Sequence, residues 1–405
     1  MHFQWNSSIT RRLAIGMVSV AALALSAGGS QAEETFKVGG IMSLTGGGAS
    51  IGKAAEVGWK LAIDDITAAG GVLGKKAELV LGDTMTDPTH AVSEARRLIE
   101  NAKVEMLVGP ATSQETIPIV PVSTEKKVAQ ASSAASTQLT PEVGPFHFSS
   151  SVTGLVQMKP NIDYALDVLK LTKLALISDN GGMSKAAVVE IVDYLKSRGV
   201  EPTAVQEFAF RTEDMTPQLF QMRSSGAEAI LLINSIGDDS RKLLENRADI
   251  GWDVPVLASQ TMTNYAVGNA AILGEDAFKD VYSVQFVGMT YCANDALGES
   301  PFAKFVKRAK AEVPDVDRMG GASALIPYYV QPIVLAAAVN GAGKSDGPSV
   351  AAWLLANAAK VELLTGPIQA SDKSHFLPAS ESIKVVKNAY KPREDGLVER
   401  AVCGS

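Results

Sequence analysis

The chain has 405 residues, 46% of them hydrophobic and 20% charged, and its 44 acidic against 37 basic side chains give a formal charge of −7. That length suits two domains of ordinary size with well-filled cores. The acidic balance, without any basic stripe, argues against nucleic acid as a partner.

Residues 1–32 carry the basic pair Arg11-Arg12, then the apolar run LAIGMVSVAALALSAGG, and end at Ser30-Gln31-Ala32. Basic start, short apolar middle and small residues at the end describe a secretory signal cleaved after Ala32. The run is short and poorly flanked for a membrane anchor. Its removal would take away two arginines and no acids, moving the formal charge from −7 to −9. The other long apolar stretch, LIPYYVQPIVLAAAV at 325–339, contains prolines and fits a buried helix better than a span. In an oxidising compartment the lone cysteine pair, Cys292 and Cys403, is expected to form a disulfide. Closing a loop of about 100 residues contributes roughly 4–5 kcal/mol in the chain-entropy model.

Strand and helix patterns alternate along the first half: β at 36–43, α at 52–69, β at 77–83, α at 88–101, β at 104–108, α at 114–125, β at 128–131. Helical spacing shows in Ala91, Ala95, Leu98 and Ile99, and Asp87-Pro88 supplies a cap followed by proline at the first helical position. The strands are near-continuous apolar runs, which a parallel sheet covered on both faces requires. Around 147–153, FHFSSSVTG has neither period and is expected to cross into a second lobe. That lobe alternates β at 174–178, α at 184–198, β at 205–209, α at 217–224, β at 229–233, α at 240–249 and β at 254–258. A strand at 280–286 leads back, helices follow at 301–313, 320–339 and 350–359, and the tail from 366 finishes the second lobe. The expected division is 33–152 with 284–362, and 153–283 with 363–405.

The second half repeats the first. FKVGGIMSLTGGGASIGKAAEVGWKLAIDDI from Phe36 has its counterpart in KLALISDNGGMSKAAVVEIVDYLKSRG from Lys173. VEMLVGPATSQ from Val104 matches AEAILLINSIGDDS from Ala227, and VAQASSAAS from Val128 matches VPVLASQTM from Val254. The expectation is an α/β protein with two doubly wound lobes facing one another across a cleft.

In open α/β sheets ligands sit beyond the carboxyl ends of the strands. Here those ends are rich in Gly, Ser, Thr, Asn and Gln, and hydroxyls beside the free N–H groups of helix starts suit an anion. Ser113, at the start of a helix, is the foremost candidate; its alternative role is to cap that helix. If it grips an anion, Ser113→Ala should weaken binding and leave the ligand-free protein about as stable. GGASIGKA at 47–54 approaches a phosphate-loop signature, but Ala54 stands where a hydroxyl should hold magnesium. His90, His147 and His375 lack metal-ligand spacing, and no G-x-S-x-G elbow occurs, so neither a metal, a cofactor nor a catalytic site is expected.

Taken together, KVGGIMSLTGGGASIGKAAEVGWKLAIDDITAAGGVLGKK, LVLGDTMTDPTHAV, LVGPATSQETIPIVPV and IGWDVPVLAS resemble the type I periplasmic solute-binding proteins of ABC importers, in the branched-chain amino-acid (leucine/isoleucine/valine) branch. The resemblance implies two lobes joined by three crossings, a monomer in the periplasm, a small ligand trapped by hinge closure, and a membrane permease as partner. It places the ligand carboxylate against Ala111, Thr112 and Ser113 and against Ser133, Ala134, Ala135 and Ser136. From the other lobe it brings Ser235 and Thr261. The acidic residue that would meet an ammonium falls at Gln260, which is neutral. Ile51, Gly182 or Met183, and Ile236 or Gly237 stand where aromatic residues would line the pocket. The anion end is retained and the cation end weakened, so the expected ligand is a small aromatic or aliphatic carboxylate without an α-ammonium. An amino acid stays open if Asp179, Asp238 or Asp239 supplies the missing charge, and a ligand-sensing receptor module is the alternative of another class.

Overall fold

Central strands in the computed structural model, which describes residues 34–403, are mostly apolar on both sides because helices cover both faces of each sheet. The first lobe runs β1 (Phe36–Met42), α1 (Ala49–Ala68), β2 (Ala77–Asp83), α2 (Pro88–Arg96), β3 (Met106–Val108), α3 (Ser113–Glu125), β4 (Ala129–Ser132) and β5 (His147–Ser149). Alternate residues go to opposite faces: Val38, Met106 and Val108 join one buried cluster with Trp59, while Ile41 and Leu107 join another with Leu98 and Ile119. Asp87 accepts a hydrogen bond from the His90 N–H at 2.7 Å and so caps α2.

The second lobe follows as α4 (Gly154–Asp163), β6 (Leu174–Asp179), α5 (Gly182–Ser197), β7 (Ala204–Phe208), α6 (Thr216–Ser224), β8 (Ala229–Ile233), α7 (Gly237–Asp249), β9 (Val256–Ala258), α8 (Gln260–Leu273) and β10 (Val281–Phe286). The chain continues through β11 (Thr290–Tyr291), α9 (Pro301–Glu312), α10 (Ile326–Ala342), α11 (Gly347–Asn357), β12 (Ile383–Lys387) and β13 (Val398–Arg400).

The first sheet has the order β2-β1-β3-β4-β5, and the parallel part of the second has β7-β6-β8-β9-β10. The two orders are the same when each lobe's strands are counted from its own start, so the repeat in the sequence is a repeat of topology. β12 and β13 extend the second sheet by antiparallel pairing, and β11 closes its edge beside β13. These are two Rossmann-like lobes, each a doubly wound parallel sheet.

Three features differ from the sequence reading. FHFSSSVTG opens with β5, whose three residues are all buried and therefore show no alternation. β10 and β11 keep the chain on the second sheet to Tyr291, past the boundary expected at 284. The return also comes later than 363: Leu377 N–H still donates to Ser149 O of β5 at 2.9 Å. Ala322–Ala342 is long and apolar enough to cross a membrane, yet 72% of its most apolar 18-residue window is buried inside the protein. Cys292 and Cys403 are joined by a disulfide, their Cα atoms 5.9 Å apart, which ties the segment after β11 to the tail. The signal-like stretch at 1–32 lies outside the described residues.

Candidate functional site

The carboxyl ends of the two parallel sheets face each other, and the loops there enclose a cavity of ≈ 80 Å³. A water needs roughly 10–15 Å³ of such space, so the chamber suits a compact metabolite. The lobes are in contact around it. A Cβ placed on Gly182 would lie 3.4 Å from the Ser113 Cβ of the other lobe. Ser50 Oγ donates to Asp238 Oδ2 across the gap at 3.3 Å, and Arg211 Nη1 donates to the Gly47 carbonyl.

α3 aims its N-terminus at the chamber because of the turn before it. Gly109 has φ +86, and a Cβ there would lie 2.1 Å from Ile41 O, so only glycine fits this bend. Ser113 is the first residue of α3 and does not cap it; the cap position belongs to Thr112. Instead, Ser113 Oγ accepts hydrogen bonds from the Ala135 and Ser136 N–H groups, each at 3.1 Å. With its lone pairs occupied, the hydroxyl proton is free to point at a ligand. Thr112 is the opposite case. Its hydroxyl donates to Glu115, a fully buried carboxylate that also receives Ser43 Oγ at 2.8 Å and Thr84 Oγ1 at 2.5 Å. Thr112 therefore presents acceptor lone pairs, not a donor, to the chamber.

Gln260 opens α8 from the other lobe. Its N–H donates to Gln157 Oε1 at 3.1 Å and its Nε2 to Gln285 Oε1 at 2.7 Å, while Gln285 Nε2 donates to Asn264 Oδ1 at 3.0 Å. This chain of buried amides fixes Gln260 and ends on Asn264, which also lines the chamber. Thr261 Oγ1 is committed to Asn234 O at 2.8 Å.

Of the residues picked from the sequence, Ala111, Thr112, Ser113, Ser133, Ala135, Met183, Ser235, Gln260 and Thr261 line the chamber together. Gly182 sits behind Met183 against Ser113. Ser136 contributes its N–H to Ser113 but its side chain is buried away from the chamber, and Ala134 is held in the core by its own N–H bond to Ser132 Oγ. Ile51 and Ile236 belong to the large hydrophobic core. Gly237 lies instead beside a second cavity.

The expectation of a chamber without aromatic walls was wrong. Tyr265, Phe286 and Tyr328 line it, from α8, β10 and α10. Burial pushes the Tyr265 hydroxyl up to about 12 and raises that of Tyr328 well above its ordinary value, where the two hydroxyls meet. Ser150, Ser151, Gln157 and Asn264 were also missed. They fall on the first crossing and inside helices, where polar residues carry no signal of which way they face.

None of the described residues lining the chamber is charged. Asp179 is fully buried and its carboxylate accepts the Gly181 N–H at 2.8 Å and the Ser235 N–H at 2.6 Å, which organises two loops. Asp238 faces the second cavity. Burial raises Asp239 to about 7, with Asp179 and Asp238 adding to the shift and the Arg211 N–H opposing it. Asp83, at the end of β2, is taken up by the N–H groups of Leu44, Thr45 and Met85 and the Thr45 hydroxyl. Ser132 and His147 do meet, at 2.8 Å, but both are buried and burial lowers His147 to about 3, so the pair is part of the core.

Two lobes that meet around a neutral chamber suit the binding of a small molecule. Over residues 35–387 the sequence matches the family model described as Periplasmic binding protein. A Leu/Ile/Val-binding protein homolog 7 from Brucella abortus (strain 2308) is 25% identical over 308 residues, 74% of this chain and 76% of the relative. Two solved structures share the fold. The solute binding protein of an ABC transporter from Rhodopseudomonas palustris BisB5, in complex with 3,4-dihydroxybenzoic acid, has a TM-score of 0.75 at 23% identity, covering 90% of this chain and 95% of that one. The branched-chain amino acid transporter substrate binding protein LivJ from Streptococcus pneumoniae, in complex with isoleucine, has 0.72 at 21%, covering 90% and 98%. The chain belongs to the periplasmic binding protein family, whose members bind ligands and do not turn them over.

Proposed function

We propose that this protein captures a small organic monocarboxylate in the interlobe chamber and delivers it to an ABC importer's membrane permease. The observation that carries this reading is a wall of neutral polar and apolar side chains with no charged one among its described residues. The N-termini of α3 and α8 converge on the chamber from opposite lobes; the dipole of α8, with no acid in its first turn, favours negative charge there, while Glu115 already occupies the first turn of α3. The Ser113 hydroxyl supplies a directed donor. Each hydrogen bond to a charged group is worth about 1.5–3 kcal/mol. Gln260 offers no charge to an ammonium. The 3,4-dihydroxybenzoate-bound neighbour lends the same fold to an acid of this kind. Export to the periplasm through residues 1–32 belongs to the same reading.

A zwitterionic amino acid is the second reading, and one observation favours it. Thr112 turns acceptor lone pairs toward the chamber because Glu115 takes its proton, and an ammonium could use them. The Brucella relative and the isoleucine-bound neighbour have names of this kind. A thermal-shift screen over benzoates, cinnamates, aliphatic acids, dicarboxylates and amino acids separates the two. Stabilisation by monocarboxylates supports the first reading, since a ligand at a hundredfold excess over Kd adds about 2.7 kcal/mol. Stabilisation by amino acids alone removes it.

A further inference from the structure

We propose that Tyr265 is a specificity-determining partition that sets the upper limit on ligand length. Beyond the ≈ 80 Å³ chamber lies a second cavity between the lobes, of ≈ 470 Å³, rimmed by Ser50, Lys53, Asp238, Ile272 and Arg318. Tyr265 is the one described residue that lines both. Its ring is the wall between them.

The wall is built from both lobes. On one side Gly237 gives the ring its seat: a Cβ there would lie 2.3 Å from Tyr265 Cγ. On the other, Gly320 has φ +105, and its Cβ would lie 3.1 Å from Tyr265 Cδ1. The hydroxyl end meets that of Tyr328 on α10. Gly237 and Tyr265 belong to the second lobe and Tyr328 to α10, which packs on α1 of the first, while Gly320 lies where α8 meets the turn before α10. Closure therefore completes the partition around whatever has entered. A ligand that fits the inner chamber is sealed from the larger cavity, and one with a long tail meets the ring.

This inference rests on the binding reading above but not on the choice between acid and zwitterion. Calorimetry with two homologous series tests it: benzoate, 3-phenylpropanoate and 5-phenylpentanoate, and alanine, norleucine and 2-aminooctanoate. In whichever series binds, the longest member should bind wild type at least tenfold more weakly than the shortest. Tyr265→Ala should bind that longest member at least tenfold more tightly than wild type does. Tyr265→Phe keeps the ring and should keep the ceiling. Gly237→Ala, which displaces the ring while leaving it present, should raise the ceiling and serves if Tyr265→Ala melts before titration. Identical length profiles in wild type, Tyr265→Ala and Gly237→Ala would overturn the partition. So would a ceiling lifted equally by Tyr265→Phe, which would assign it to the hydroxyl pair. Binding confined to the zwitterionic series would overturn the carboxylate reading and leave the length test intact.

Discussion

Replacing Ser113 with alanine removes two things at once. The lost donor to a bound carboxylate is worth about 1.5–3 kcal/mol, which is roughly a 10- to 150-fold rise in Kd. The lost acceptor strands the buried N–H groups of Ala135 and Ser136, which now bond to Ser113 Oγ at 3.1 Å each. An orphaned buried donor costs about 1–3 kcal/mol, so the ligand-free protein should also lose stability, by the equivalent of one or both bonds. This corrects the sequence-level expectation that the ligand-free protein would be indifferent to the change. The reason is that Ser113 is neither a helix cap nor an isolated hydroxyl: it is an acceptor that holds the 133–136 loop and a donor aimed into the chamber. Titration calorimetry on the tightest ligand from the screen gives the first quantity, and urea unfolding without ligand gives the second. Lower stability with unchanged affinity would refute the donor role. Lower affinity with unchanged stability would refute the acceptor role.

Three further outcomes follow from the geometry. Gln260→Glu places a carboxylate in the neutral chamber beside Gln285 Oε1 and should weaken monocarboxylate binding at least tenfold by calorimetry; unchanged affinity would mean that Gln260 does not face the ligand. Cys403→Ser opens the disulfide to Cys292 across a sequence separation of 111 and should cost about 2–5 kcal/mol of stability. Affinity should stay the same, because the bridge lies away from the residues that line the chamber. Asp239 keeps its proton in the folded state up to about pH 7, whereas the unfolded chain releases it near 3.8. Its contribution is therefore full below 3.8 and is lost as pH rises toward 7, by up to about 1.4 kcal/mol per pH unit. Asp239→Asn removes that loss, so urea midpoints at pH 4.5, 6 and 8 should show the variant gaining on wild type as pH rises; a constant difference would contradict the shift.

The fold was legible because its constraints act locally. A strand buried on both faces must be largely apolar, as LALI in β6 and AILLI in β8 are, and the helices between them keep one apolar face. β5 escaped because three buried residues fix no period. At the site, hydroxyl-rich loops after strands brought Ser113 into view, and the family resemblance added Ser133, Ser235 and Thr261. Tyr265 and Tyr328 could not. They sit within α8 and α10, both buried enough to blur any helical face, and only the meeting of two lobes turns them toward a common space. Glu115 was silent for the same reason: an acid in the first turn of a helix looks like a dipole partner, and three hydroxyls from separate elements make it a buried anchor.

The central claim is that a neutral chamber holds a carboxylate that carries no ammonium. Calorimetry on two matched pairs tests it most directly: 4-methylpentanoate against leucine, and 3-(4-hydroxyphenyl)propanoate against tyrosine. The des-amino acid of the better-fitting pair should bind at least tenfold more tightly than its zwitterion, which would bring an unpaired positive charge into the cleft. A zwitterion that binds tenfold more tightly than its des-amino partner would contradict the account.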